Sequence, residues 1–430
     1  MEIATFYKLF RQHPIVTTDS RNIPENSIFF ALKGENFNGN TFAAEALTKG
    51  AAFAIIDEPE FAVGDRIIVV NDVLTSLHEL ARYHRDQLKL PILAITGTNG
   101  KTTTKELIAA VLSGKFKINF TQGNLNNHIG VPLTILSMTP ETEIGIVEMG
   151  ANHPGEINLL CEIANPDFGI VTNMGKAHLE GFGSFEGVIR TKSELYNYLR
   201  AKGGKCFINA DNPLLIKQAK DLEQISYGKS TSFFMPGELA TTGYNLVIKA
   251  LFPKGWLYLK SKLIGDYNFE NLLAAACVGK YFEVDPLFIQ EALAEYTPSN
   301  NRSQLIRNEK NILIMDAYNA NPTSMMMALT NFVSIENDQK CIILGDMLEL
   351  GVSSDEEHQK IVDFIDSQNF TDVFLVGPQF KKTVTGKEKK KFDNAELLSN
   401  YLKTQPIINK LILIKGSRGI HLEKILELLS

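Results

Sequence analysis

The chain has 430 residues, 44% of them hydrophobic and 21% charged, and its 43 Lys and Arg against 49 Asp and Glu leave a formal net charge of -6. This is the composition of a water-soluble globular protein with material for two to four domains, and three are expected. The acidic balance excludes a general nucleic-acid binder, which needs a basic surplus to displace counterions. Cys161, Cys206, Cys277 and Cys341 form no C-x-x-C pair, so neither a zinc knuckle nor a dithiol redox centre is expected. Free thiols in a reducing cytosol fit them. The start, Met1-Glu2-Ile3-Ala4-Thr5, lacks the basic-then-apolar pattern of an export signal, and no window approaches the ~20 apolar residues of a membrane span. A cytoplasmic protein without membrane insertion is expected.

In chain order, the apolar runs Ile28 to Leu32, Ala52 to Ile56 and Ile67 to Val70 alternate with a helical stretch, Thr41 to Lys49, as in a small α/β unit. A helix over Thr75 to Leu88 leads to Pro91, where a new domain can begin. The second region runs through the strand Ile92 to Ile95, the helix Lys101 to Leu112, and strands Phe116 to Phe120, Ile144 to Met149 and Phe168 to Thr172. The helix Phe185 to Leu199 and the strand Cys206 to Asn209 continue it. Continuously apolar strands separated by helices predict a parallel, doubly wound sheet, with ligands at the carboxyl ends of its strands.

Ser232 to Leu263 reads as β-rich, and helices from about Asn268 and over Pro286 to Tyr296 close the region. After Thr297-Pro298-Ser299-Asn300 the alternation restarts with strands at Ile312 to Met315, Cys341 to Leu344, Val373 to Val376 and Leu411 to Ile414. Helices fall at Asp355 to Asp366, Ala395 to Thr404 and Leu422 to Leu429, and the basic run Lys387 to Lys391 reads as a solvated loop. No G-x-G-x-x-G follows the first of these strands, so a dinucleotide cofactor is not implied. The expected fold class is α/β in three domains. These are a small N-terminal α/β domain (1–88), a central doubly wound, mostly parallel domain with a short P-loop (89–297), and a Rossmann-like C-terminal domain (298–430).

The chemistry concentrates at Thr96-Gly97-Thr98-Asn99-Gly100-Lys101-Thr102-Thr103-Thr104, between an apolar strand and a helix. Gly97 and Gly100 permit backbone angles closed to other residues, and the N–H groups of the helix start point at an anion. Lys101 adds a charge beside terminal phosphates, and the Thr102 hydroxyl suits a magnesium ion bridging them. The spacing is G-x-x-G-K-T, shorter than the general P-loop, which would need glycine at Ile95.

Other polar residues sit where strands end. Glu148 is either a magnesium ligand or a salt-bridged rim residue. His178 and Glu180 reach the same rim, with His178 either structural or in contact with a metal or phosphate. Thr121 to Asn127, with Asn124 and Asn126, can bind a polar substrate or simply make a turn. Lys192, from its position in a helix, would be a solvated surface lysine.

Taken together, these segments resemble the ATP-dependent Mur ligases of bacterial peptidoglycan synthesis over essentially the whole chain. Thr96 to Thr104, Glu148-Met149-Gly150-Ala151-Asn152-His153, Ala177-His178-Leu179-Glu180 and Lys192-Ser193-Glu194 look like central-domain signatures. Asn268-Phe269-Glu270-Asn271, Ala274-Ala275-Ala276 and Asn301-Arg302 continue the pattern. Asp316 to Met325, Leu344 to Gly351 and Ile414 to Arg418 look like the branch that adds D-alanyl-D-alanine. Thr18-Asp19-Ser20-Arg21 and Phe29 to Gly34 are similar to the UDP-sugar recognition segment. Two positions depart: Asn40 stands where relatives commonly have histidine, and Thr191 where a small alanine usually precedes the modified lysine.

The resemblance implies that Gly97 to Thr103 bind ATP with Lys101 on its phosphates, that Thr102 and Glu148 hold a first magnesium ion, and that His178 holds a second. It implies that Lys192 reacts with carbon dioxide to give a metal-supporting carbamate. Asn268 and Asn271 would lie near the adenine, and Arg302 and Asp316 near the phosphates and ribose. Ser20, Arg21, Lys33 and Gly34 would contact the UDP-sugar, with Asn124, Asn126, Asn319 and Asn321 as further substrate contacts. The implied substrates are UDP-N-acetylmuramoyl-tripeptide and D-alanyl-D-alanine, joined through an acyl phosphate by an enzyme for which a monomer suffices. Folylpolyglutamate synthases share this chemistry, but the region before Pro91 and the Asp316 to Met325 segment fit the peptidoglycan branch.

Overall fold

Strands with no polar alternation must be covered on both faces, and the apolar runs of this chain are. The computed structural model of the chain describes residues 2–241, 243–298, 302–368, 370, 372–386 and 389–430. Ser299, Asn300 and Asn301 of the second junction, and Lys387 and Glu388 of the basic run, lie outside the described residues.

The first sheet contains β1 (Val16–Thr17), β2 (Ile28–Phe30), β5 (Phe53–Ile56) and β6 (Ile67–Val69), all parallel, with a small hairpin of β3 (Lys33–Gly34) and β4 (Phe37–Asn38) beside it. The second comprises β7 (Ile92–Thr96), β8 (Ile118–Phe120), β9 (Ile144–Glu148), β10 (Phe168–Val171), β11 (Lys205–Asn209), β12 (Glu223–Gly228), β13 (Met235–Leu239), β14 (Asn245–Phe252) and β15 (Gly255–Ile264). Its order is β15-β14-β13-β12-β11-β10-β7-β9-β8, parallel from β8 to β13 and antiparallel from β13 to β15. The doubly wound, mostly parallel expectation holds, and the β-rich stretch forms the antiparallel end.

The third sheet contains β16 (Gln304–Arg307), β17 (Ile312–Asp316), β18 (Lys340–Gly345), β19 (Asp372–Val376), β20 (Lys390–Phe392) and β21 (Leu411–Lys415). Its order is β16-β17-β21-β18-β19-β20, parallel except for β16. The structure adds helices Ile3–Gln12, Glu156–Ala164 and Pro322–Ser334 and strands β12, β16 and β20 to those expected. The last helix begins as a 3-10 turn, Leu422–Ile425, before Leu426–Leu429.

The helix Val73–Gln87 ties the first unit to the second. Asp72 caps it by accepting the Thr75 N–H at 2.6 Å, and Val73, Leu77, Leu80, Ala81 and His84 make one buried stripe. Arg85, on the same buried side, donates to the carbonyls of Leu88, Ala164 and Asn165 at 2.9 to 3.0 Å and to the Asp167 carboxylate at 3.0 Å. Asp167 also accepts the Ile92 N–H at 2.9 Å and the Lys202 ammonium at 2.8 Å. This network sits at the amino ends of β7 and β10, leaving the carboxyl ends free for a site.

Arg85→Ala leaves the Leu88 and Ala164 carbonyls without this donor and removes one of three partners from Asp167, so we predict a loss of about 2–3 kcal/mol, seen as a lowered thermal unfolding midpoint. Arg85→Lys should recover little of it, since an ammonium cannot reproduce the planar fork.

Candidate active site

β7 ends in the phosphate loop, and the helix Lys101–Leu112 starts from Gly100, whose φ is +80°. A side chain at Gly97 would place its Cβ 2.0 Å from Thr172 Oγ1, and one at Gly100 would meet Asn271 Oδ1 at 2.5 Å. Glycine is therefore demanded twice, by backbone angle and by space. The loop after β10 braces it: Asn173 accepts the Thr98 N–H through its carbonyl (3.0 Å) and the Asn99 N–H through its side chain (2.9 Å). Thr172 Oγ1 donates to the Asn99 carbonyl at 2.6 Å. Lys101 folds over the loop and donates to the carbonyls of Gly97 and Thr98 at 2.8 and 3.1 Å. Burial holds its pKa below the usual lysine range, Arg302 adds to the effect, and Glu148 opposes it.

Glu148 ends β9 and is 1% exposed. Its Oε1 accepts from Thr102 Oγ1 at 3.0 Å and Asn126 Nδ2 at 2.8 Å, while Oε2 is buried without a hydrogen bond. Lys105 Nζ lies 3.4 Å from Oε2 and donates to the Gly123 carbonyl at 3.1 Å. Glu148 is thus salt-bridged, one of the two alternatives the sequence left open, and its Oε2 accepts no hydrogen bond. Sequence reasoning missed Lys105, although its place one turn beyond Lys101 was a usable signal.

His178 adopts φ +48° at the start of the short helix Leu179–Phe182, and its imidazole pairs with Glu349 from the loop after β18. That contact holds the Glu349 carboxyl below its usual range. The structure corrects the sequence reading of Lys192 as a surface residue, because it is 2% exposed, with Nζ 5.5 Å from the centre of the Phe182 ring. Val188, Thr191, Lys192, Leu195 and Leu199 form the buried face of the helix Phe185–Lys202, so helical spacing could have found it. Burial first, and then the charge of Lys101, lower the Lys192 amine to about 7.

These parts surround a cavity of about 560 Å³ between the carboxyl ends of the second and third sheets. Thr98 to Thr103, Asn124, Asn126, Glu148 and His178 line it from the second region, together with Asn268 and Asn271. Arg302, Asp316 and Asn319 line it from the third, with Tyr318 and Lys415, which sequence reasoning did not single out. Lys415 donates to Asp316 at 2.5 Å, and the Arg302 guanidinium lies 3.6 Å from the Tyr318 ring centre with Nε buried and unpartnered. Asn271 donates to Asn268 at 2.8 Å and accepts from Thr104 at 3.0 Å.

Gly97, Lys192 and Asn321 are not on the cavity wall. Asn321 instead donates to Asn99 Oδ1 at 2.8 Å across the cleft and caps the helix Pro322–Ser334. Ser20, Arg21, Lys33 and Gly34 also stay off the wall, in the first unit. Arg21 pairs with Asp19 at 2.8 Å, Lys33 with Asp57 at 3.0 Å, and the Ser20 carbonyl accepts from Lys49. Asn40 is buried, donating to Asn38 and Asp57 and accepting the Asp57 N–H. This amide fills a structural place.

Among the described residues no three His, Cys, Asp or Glu cluster to hold a metal. Magnesium does not need such a cluster, because water and phosphate oxygens supply most of its coordination. The Glu148 carboxylate, whose Oε2 accepts no hydrogen bond, and the adjacent Thr102 hydroxyl fit that role.

Residues 95–279 match the Mur ligase middle domain, 301–418 the Mur ligase glutamate ligase domain, and 14–88 the Mur ligase family catalytic domain. A UDP-N-acetylmuramoyl-tripeptide--D-alanyl-D-alanine ligase of Bacillus subtilis (strain 168) is 34% identical over 428 residues, covering 96% of this chain and 92% of the relative. The chain belongs to the Mur ligase family. Among solved Mur ligases, MurF from Acinetobacter baumannii superposes with a TM-score of 0.86 at 30% identity, covering 96% of this chain and 92% of that one. MurF from Thermotoga maritima in complex with ADP gives 0.85 at 27% identity, with 97% of each chain covered.

Asn321→Ala removes a helix cap and should cost about 1 kcal/mol, whereas Asn321→Ser, which keeps a capping hydroxyl, should cost a few tenths. Urea unfolding followed by circular dichroism would measure the difference.

Proposed function

We propose that this Mur ligase uses ATP to join D-alanyl-D-alanine to the terminal carboxylate of UDP-N-acetylmuramoyl-tripeptide, giving ADP and phosphate. The product is a peptidoglycan precursor, on which cell-wall growth, cell shape and division depend. The reading rests on one observation: a phosphate loop with Lys101 and Thr102 sits beside the buried Glu148 on one wall of the interdomain cleft, with Arg302 and Asp316 on the other.

The uphill step is amide formation from a carboxylate, which needs a better leaving group. The tripeptide carboxylate attacks the γ-phosphorus of ATP, ADP leaves, and an acyl phosphate forms. Both reactants are anions, so Lys101 and Arg302 must offset their repulsion as they approach. Thr102 and Glu148 would hold one magnesium ion, and His178 a second supported by a carbamate on Lys192. When bound, these ions neutralise phosphate charge. The dipeptide amine has a pKa of about 7.7–8.0, so it arrives mostly protonated and loses that proton before attacking the acyl carbon. Phosphate then departs.

In this scheme residues 89–297 bind ATP, with Gly97 to Thr103 around the phosphates, Asn268 and Asn271 near the adenine, and Asp316 near the ribose. Residues 1–88 hold the UDP-sugar through Ser20, Arg21, Lys33 and Gly34. Residues 298–430 receive the dipeptide, Asn319 and Asn321 are further substrate contacts, and Asn124 and Asn126 face the substrates from the central domain. Closure over the cleft keeps water from the acyl phosphate. No helix among the described residues is long and apolar enough to cross a membrane. The enzyme of this scheme works in the cytoplasm, and each step needs only one copy of the chain.

Phosphate release should require both peptide substrates, and Lys101→Ala should lower it by about 100-fold or more, as for loss of a main transition-state charge. Release in the absence of the dipeptide amine would count against amide formation.

Carbamate formation consumes the neutral amine, which Lys192 offers above about pH 7 and loses by protonation below it. With ¹³C-bicarbonate, a carbamate carbon resonance should therefore grow as pH rises through 7 and be missing in Lys192→Arg. Lys192→Ala should fold yet lose most ligation. Full turnover by that variant would remove the carbamate from the scheme.

A further inference from the structure

A second cavity of about 340 Å³ adjoins the main one, sharing Thr102, Asn124, Arg302 and Tyr318 with it. Arg418 and Glu423 line the second cavity and are not on the wall of the first. Arg418 opens the 3-10 turn that follows β21, with its guanidinium 5.6 Å from the Tyr318 ring centre. Among the described residues no carboxylate pairs with it, whereas Glu423 is engaged by His421 at 3.2 Å. The turn has a fixed base, because the Ser417 N–H donates to the Asp346 carbonyl at 3.1 Å and Ser417 Oγ accepts the Leu348 N–H at 3.0 Å. An unpaired guanidinium on a rigid support, facing a cavity, is a carboxylate receptor in geometry and charge.

We propose that Arg418 binds the C-terminal carboxylate of the incoming dipeptide in this second cavity. The inference rests on the ligase reading above and names a subsite within it. Of the two ends of a dipeptide zwitterion, only the amine reacts, so the carboxylate is free to serve as the handle that positions it. Two extended residues span at most about 7 Å, and the shared Thr102 wall lies where the second cavity meets the phosphate site. A dipeptide held by Arg418 therefore extends its amine toward the acyl phosphate. In the scheme above ATP phosphates would meet Lys101 and Arg302, which line the main cavity, whereas Arg418 is not on its wall. Glu423 puts one negative charge on the same cavity wall, so the pocket accepts a zwitterion and disfavours an incoming amino acid with an acidic side chain.

The test compares D-alanyl-D-alanine with its C-terminal amide as acceptors for the full-length wild type and for Arg418→Ala, Arg418→Gln and Arg418→Lys. ATP, magnesium and the nucleotide tripeptide are held constant. Wild type should prefer the free acid in kcat/KM on the order of 10- to 100-fold, the worth of a charge-assisted pair. Arg418→Ala and Arg418→Gln should lose that factor for the acid only, bringing the acid-to-amide ratio near one, with KM for ATP unchanged. Arg418→Lys should recover part of the preference. A wild type indifferent to amidation, an Ala variant that keeps the preference, or a raised KM for ATP in the variants would each overturn the assignment. A wild type that ligates neither acceptor would instead overturn the ligase reading itself.

Discussion

An excess of positive charge around one cleft is the constraint on which the molecule turns. Lys101 and Lys105 act on the buried Glu148, Lys192 repels Lys101 and is attracted by Glu156 and Glu194, Arg302 repels Lys101, and Asp316 is already occupied by Lys415. Such an excess opposes folding, because buried cations lose hydration and repel each other. The lowered pKa values of Lys101 and Lys192 register that cost. Two anionic reactants would supply negative charge beside these cations, so their attraction favours the state in which the reactants meet. The sheets are the means by which so many cations are held in place.

The third sheet unit reaches this cleft through polar contacts. Asn321 meets Asn99, Lys176 pairs with Glu357 at 2.9 Å, and His178 pairs with Glu349. Partly exposed ion pairs contribute only ~0–1 kcal/mol each. These contacts set the geometry of the cleft, while Ile264 of the second region packs in the buried apolar cluster of the third unit with Ile314 and Met325.

The phosphate loop and the central strands were legible because their physics is local. Glycines at required backbone angles, apolar runs and a helix start announce themselves within nine residues, and the polar strand ends at Glu148 and His178 followed from topology. What escaped notice depends on partners distant in sequence. Arg85 looks like any helical arginine until the loop at Ala164 to Asp167 comes beneath it, and β16 is a strand because β17 offers an edge. Lys192 lay between these cases. Its place on an apolar helical face was readable from spacing, but the general rule that lysines are solvated outweighed it.

The Arg85 network grips the amino ends of β7 and β10, whereas the third unit touches the loops at their carboxyl ends. The central sheet therefore separates two mechanical tasks. Its buried anchor fixes the first unit against the core at one end of the strands, so the other end is left to the loops that form the cleft with the third unit. Support and chemistry thus occupy opposite edges of one sheet, and a change in the cleft loops need not disturb the anchor.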